Sequence, residues 1–148
     1  MAHSPGNQEY LGIDTNVLVA YLADDHPQHP DVNWLSKIVP VVNPTIIHEA
    51  YHTLVFKRKW NSGDSRRILT DYVENGVLLG QTLRTTRLGL ILADKHGLDG
   101  RDALILASFI AAAKPIVITC VTFDEQLLKL EAVRYGARSL QIKPPKNL

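Results

Sequence analysis

Tyr10-Leu11-Gly12-Ile13-Asp14-Thr15-Asn16-Val17-Leu18-Val19-Ala20 sets a carboxylate, a hydroxyl and an amide between two apolar runs. The residues before Asp14 read as a short strand, and Val17, Leu18, Ala20 and Tyr21 read as one buried face of a helix that starts near Asn16. Asp14 therefore falls at the carboxyl end of a strand. In an open α/β sheet that rim carries binding and catalytic groups, while an acid or amide at the same place can equally cap the helix. Taken alone, the stretch leaves both readings open.

Outward from this stretch the chain alternates strands and helices. Asp24-Asp25-His26-Pro27 breaks the first helix. Pro30 then suits the first turn of a second helix, whose apolar face is Val32, Leu35, Ile38 and Val39, with Pro40 as its stop. Val41-Val42 is left as a strand fragment, and Asn43-Pro44 opens a long helix expected to reach Trp60. Its core side is Ile47, Ala50, Tyr51 and Leu54. A further helix is expected from a cap at Asp64 or Ser65 to Asn75-Gly76, followed by a short strand at Val77-Leu78-Leu79. Thr85 or Thr86 should open the next helix, which ends at His96-Gly97. Asp99 reads as the cap of a helix from Arg101 to Ala113, with Asp102 in its first turn. Ile116 to Val121 is a β-branched run suited to a central parallel strand covered on both faces. It ends in Thr122-Phe123-Asp124, where Asp124 can cap a helix from Glu125 to Leu130, and Arg138 to Ile142 reads as the last strand. The alternation predicts a three-layer α/β/α fold around a mostly parallel sheet.

Composition narrows the class. The 148 residues suffice for one hydrophobic core, so residues 10–148 are expected to form a single domain. Residues 1–9 are polar, contain Pro5 and Gly6, and read as a disordered lead or a non-native remnant. Sixteen Lys and Arg against fifteen Asp and Glu leave a net charge of +1, too small for affinity based on general phosphate neutralisation. The lone Cys120 suits a reducing cytoplasm. The longest apolar run, Ala103 to Ala113, is too short to span a bilayer, so no membrane partner is expected.

Four acids fall at or near strand ends or helix starts: Asp14, Glu49, Asp102 and Asp124. Gathered at one rim of a parallel sheet they would repel one another. A hard divalent cation compensates best, since Mg²⁺ or Mn²⁺ prefers carboxylate and water ligands. Such a site can lower the pKa of a bound water and neutralise a phosphodiester, which is the chemistry of nucleic-acid backbone hydrolysis. No Gly-rich phosphate loop or redox Cys-x-x-Cys supports another chemistry.

Ile13-Asp14-Thr15-Asn16-Val17-Leu18, Glu49 in an early helix, Asp102-Ala103-Leu104-Ile105-Leu106-Ala107, and Thr122-Phe123-Asp124 before Leu127-Leu128 together resemble a PIN-domain ribonuclease. The resemblance extends from Tyr10 to the final strand. It implies that Asp14, Glu49, Asp102 and Asp124 form a metal-binding catalytic cluster. Asn16 and Thr122 would occupy the family's supporting amide and hydroxyl positions. It also implies cleavage of single-stranded RNA with Mg²⁺ or Mn²⁺, and likeness to VapC-type toxins, which are held by an antitoxin and are often homodimers. The competing class is a non-catalytic RNA-binding module of the same fold, for which four mutually repelling carboxylates have no use.

One motif points elsewhere. His48-Glu49-Ala50-Tyr51-His52 matches the H-E-x-x-H pattern of zinc metalloproteases, with both histidines on one helix face. That reading claims Glu49 but leaves Asp14, Asp102 and Asp124 unexplained and supplies no convincing third ligand. Arg101 is a candidate phosphate contact beside Asp102. Lys57 and Lys59 are candidates too, although cations at a helix carboxyl end are already explained by the dipole.

Overall fold

The computed structural model describes Tyr10–Asn147. β1 (Tyr10–Ile13), β2 (Val39–Val42), β3 (Val77–Leu78), β4 (Thr119–Val121), β5 (Ala132–Tyr135) and β6 (Arg138–Lys143) form one sheet in the order β3-β2-β1-β4-β6-β5. All neighbours are parallel except β5 and β6. The helices are α1 (Thr15–Leu22), α2 (His29–Val32), α3 (Pro44–His52), α4 (Ser62–Asn75), α5 (Leu83–His96), α6 (Gly100–Ala111) and α7 (Glu125–Leu128). They cover both faces of the sheet and complete the expected three layers. No helix among the described residues is long and apolar enough to cross a membrane.

β1 and β4 lie side by side in the middle, with Gly12 opposite Cys120 and Ile13 opposite Val121. The order of connection reverses between them, because β1 leads to β2 on one side and β4 pairs with β6 on the other. That is the switch point at which open α/β sheets form a crevice beyond their carboxyl ends. Two packing details set the distance across the crevice. A Cβ on Gly12 would stand 2.7 Å from the Phe109 ring, so the absent side chain lets α6 lie directly on β1. Asn43 accepts the Ile46 N–H at the start of α3 and donates to Ser108 Oγ of α6 at 2.9 Å, both side chains being buried. The serine that interrupts the apolar run of α6 is thus part of the joint between α3 and α6.

Several elements depart from expectation. The second helix ends at Val32 and continues only as a 3₁₀ segment, Asn33–Lys37. Pro40 belongs to β2, opposite Leu11 and before the pairing with β3 begins at Val41. A proline is tolerated at such a strand start, where a ladder donor is not needed. α3 gives way after His52 to a π turn, Thr53–Lys57, closed by Arg58 N–H to the Thr53 carbonyl. Asn61 caps α4, because its side chain reaches the Asp64 N–H. Thr82 caps α5 in a reciprocal box with Thr85. α6 begins at Gly100 and α7 stops at Leu128.

The run from Ile116 to Val121 becomes a strand only over its last three residues. Ile116 and Ile118 are about 60% exposed while Val117 is buried, so the lead-in is one-sided. The neighbouring β1 offers partners only for Cys120 and Val121. Nothing in the pattern of Ala132–Tyr135 announces β5. It is short and half-exposed, and it pairs antiparallel with β6 across Gly136, whose φ of +59° suits the tight reversal.

Candidate active site

Asp14 follows the last residue of β1 and is 5% exposed. Its backbone N–H donates to the Val121 carbonyl, which extends the β1–β4 pairing by one step. Its Oδ1 accepts the Thr15 N–H at 2.8 Å, so it does cap α1. Oδ2 accepts the hydroxyl of the fully buried Thr122 at 2.7 Å. Capping and facing the crevice are both roles of this one carboxylate.

Thr122 is the hub of the turn between β4 and α7. Its oxygen also accepts the Asp124 N–H at 2.9 Å and lies 3.5 Å from the Asn16 amide nitrogen. The Asn16 carbonyl oxygen accepts the Phe123 N–H at 3.2 Å. Two side chains thereby lock the start of α1 to the start of α7. Asp124 accepts the Gln126 and Leu127 N–H groups through Oδ1 alone, leaving Oδ2 outside the cap. Asp102 stands in the first turn of α6, freed from capping because Asp99 accepts the Arg101 N–H at 2.7 Å. Glu49, on α3, meets the Arg101 guanidinium at 3.2 Å.

The four carboxylates line one cavity of about 290 Å³ together with Thr15 and Asn16. Burial raises the pKa of Asp14, and nearby Asp124 raises it further against the hydrogen bonds from Thr122 and Thr15. Asp102 is pushed up to about 6, first by burial and then by the surrounding Asp14, Asp124, Asp99 and Glu49. Glu49 is raised mainly by burial, and Arg101 offsets part of this. Like charges in a shared low-dielectric space disfavour joint ionisation. Positive charge placed there would restore it.

Among the described residues no three His, Cys, Asp or Glu side chains converge on one point as a metal cage. The donor set is nonetheless entirely carboxylate oxygen spread around a cavity with room for water. That fits a hard cation such as Mg²⁺, which keeps several waters and takes few protein ligands. Asp14, Glu49, Asp102 and Asp124 are the residues that would hold it.

The other sequence candidates are placed differently. Arg101 sits on the rim, paired with Glu49 and 3.7 Å from Asp99. Lys57 and Lys59 do not line the cavity; Lys59 donates to the Phe56 carbonyl, as the helix-end reading predicts. His48 is exposed with Nδ1 bonded to the Pro44 carbonyl, and His52 stacks against Phe56 at 5.1 Å. No third metal-binding side chain joins this pair among the described residues. His26, Gln28 and Thr53 also line the cavity, although nothing in the sequence singled them out. His26 lies in a stretch legible only as a helix break, and Thr53 faces inward from the π turn.

The PIN domain family matches residues 12–133 of the chain. No curated protein matches. Among solved structures, the fold is similar to VapC20 of Mycobacterium tuberculosis, described as a sarcin-ricin loop cleaving toxin, with a TM-score of 0.60 and 18% identity over 78% of this chain and 90% of that one. It is also similar to FitAcB of Neisseria gonorrhoeae, with a TM-score of 0.60 and 17% identity over 93% and 99%. VapBC-1 of nontypeable Haemophilus influenzae gives 0.59 and 14% over the same shares.

Proposed function

The chain belongs to the PIN domain family, and from that premise we propose that it is a metal-dependent endoribonuclease hydrolysing single-stranded RNA. The observation that carries this is the convergence of four carboxylates, from four separated parts of the chain, on one cavity at the carboxyl ends of β1 and β4. A divalent cation bound there, Mg²⁺ or Mn²⁺, supplies Lewis-acid activation of water and neutralises the phosphodiester charge.

The protein's own part is to hold and orient. Thr122 donates to Asp14 Oδ2 and so fixes the carboxylate and offsets part of the rise in pKa that burial imposes on it. Asn16 bridges to the Phe123 backbone and fixes the separation of Asp14 and Asp124. Arg101 balances Glu49 at the mouth, where it is also available to an incoming phosphate. The raised pKa values of Asp14, Glu49 and Asp102 mean that binding a cation there displaces protons.

The reading extends to biology through likeness to VapC-type toxins. In it the protein is the toxin of a toxin–antitoxin pair, cytoplasmic, restrained by an antitoxin protein and assembled as a homodimer. Leu83, Leu90 and Ile91 of α5 are each at least 60% exposed and recur on one helix face, which offers apolar surface to a protein partner.

The test is cleavage of a labelled single-stranded RNA by the purified protein with Mn²⁺, with Mg²⁺ and with EDTA. Cutting with either ion and none in EDTA is expected. A folded protein whose thermal stability rises with Mn²⁺ but which cuts no RNA would instead support the binding module.

A further inference from the structure

The cavity has one titratable wall residue that the acid cluster does not use. His26 lies in the turn between α1 and α2 and lines the same cavity as the four carboxylates. The turn is well tied down. His26 N–H donates to the Ala23 carbonyl and His29 N–H to the His26 carbonyl, both at 2.9 Å. The neighbouring Asp25 is bound at 3.0 Å to Arg58, which closes the π turn after α3.

The ring's chemistry is fixed by one contact. The Gln28 backbone N–H donates to His26 Nδ1 at 3.0 Å, so Nδ1 must be the acceptor and the neutral ring carries its proton on Nε2. Burial and the nearby Arg58 hold the ring below the ordinary histidine pKa, with His29 acting in the same sense and Asp25 opposing. At neutral pH the ring is therefore a fixed N–H donor without a free lone pair. It cannot ligate a cation without giving up the bond to Gln28. The four carboxylates offer an incoming strand only acceptors, and one of the two Asn16 amide N–H groups is directed at Thr122. An RNA backbone, which is itself rich in acceptors, needs donors on this side.

We propose that His26 is a substrate-contacting residue whose Nε2–H donates to a phosphate oxygen of the RNA strand as it enters the acidic cavity. This rests on the nuclease reading above. Because the acceptor belongs to the backbone, the contact fixes the position of the strand and is indifferent to base identity.

The test compares wild type, His26→Ala and His26→Gln on labelled U-only and A-only oligonucleotides with Mn²⁺, reading KM, kcat and the Mn²⁺-induced thermal shift. Loss of one such hydrogen bond should raise KM about tenfold for both oligonucleotides in the alanine variant, with the thermal shift unchanged. Glutamine, whose amide N–H reaches about as far as Nε2, should recover most of the loss. An alanine variant with wild-type KM would overturn the contact and leave the nuclease reading intact. A KM rise on only one oligonucleotide, or one that glutamine does not repair, would overturn the backbone donor assignment. A folded wild type that cuts neither oligonucleotide with Mn²⁺ would overturn the nuclease reading and this contact with it.

Discussion

The Asp14 crevice and the His48–His52 face of α3 both present metal-binding side chains, yet they are built in opposite ways. Around Asp14, residues more than one hundred positions apart are joined by hydrogen bonds of 2.7 to 3.5 Å through Thr122 and Asn16. On α3 the two histidines are neighbours only because one helical turn separates them, and each is occupied locally, by the Pro44 carbonyl or the Phe56 ring. The contrast shows that a recognisable local pattern is weak grounds for a site. Convergence of distant carboxylates, among which Asp14, Glu49 and Asp102 are raised in pKa by burial and by neighbouring acids, is strong grounds because such an arrangement costs stability unless something positive repays it.

The largest expected effect is that of Asp14→Asn. Asparagine can still accept the Thr15 N–H through its oxygen and turn its amide N–H toward the Thr122 hydroxyl, so folding should survive while metal-dependent cleavage falls by on the order of a hundredfold or more. Retained activity in a folded variant would break the contrast at its strongest point. Next comes Thr122→Val, which keeps the shape but leaves Asp14 Oδ2 and the Asp124 N–H without their shared partner. Metal affinity measured by Mn²⁺ titration should weaken roughly ten- to a hundredfold, and urea unfolding should show a loss of about 1–3 kcal/mol.

Asp102 sharpens the comparison through pH. Its folded pKa of about 6 lies above the ordinary 3.8, so between these values the native state holds the proton more tightly than the unfolded chain. The stabilisation is present at low pH and is lost as pH rises through about 6. Without metal, the wild type should therefore lose stability across that window, and Asp102→Asn should lose less. Metal binding runs the other way, since a proton must leave. Apparent Mn²⁺ affinity should fall up to about tenfold per pH unit below about 6 if one proton is displaced, which calorimetric titration at several pH values would measure. The smallest effect belongs to the other region. A His48→Ala, His52→Ala double variant should stay within about 0.5 kcal/mol of wild-type stability and keep Mn²⁺-dependent cleavage. Loss of cleavage, or a zinc-specific stabilisation that the double variant abolishes, would restore the H-E-x-x-H motif as a competitor.

Much of the layout is legible in the sequence. Apolar periodicity located α1, α3, α4, α5 and α6, while Gly97 at the left-handed end of α5 and Asn43 before Pro44 marked boundaries through their own backbone chemistry. The failures have physical causes. Pro40 looks like a helix stop because the ring blocks helix continuation, yet at the first turn of a strand ladder it does no harm. The π turn after His52 and the β5–β6 hairpin depend on what lies beside them, and Ala132-Val133-Arg134-Tyr135 carries no pattern strong enough to announce a strand. His26 read as a break because its role comes from the cavity it borders rather than from its neighbours in sequence.

The division follows from the range of the forces involved. Alternation of apolar and polar residues, capping side chains and the placement of acids at element ends act over a few residues, so the sequence by itself determined the α/β class and nominated Asp14, Glu49, Asp102 and Asp124. Whether those acids share one space was decided by tertiary contacts alone: the Gly12–Phe109 approach, the buried Asn43–Ser108 bond and the pairing of β1 with β4. Burial and mutual repulsion, which raise Asp102 to about 6, exist only once the chain has closed around the crevice. A carboxylate's charge is written in its residue type, but the cost of that charge depends on distance and dielectric, and only the folded structure sets these.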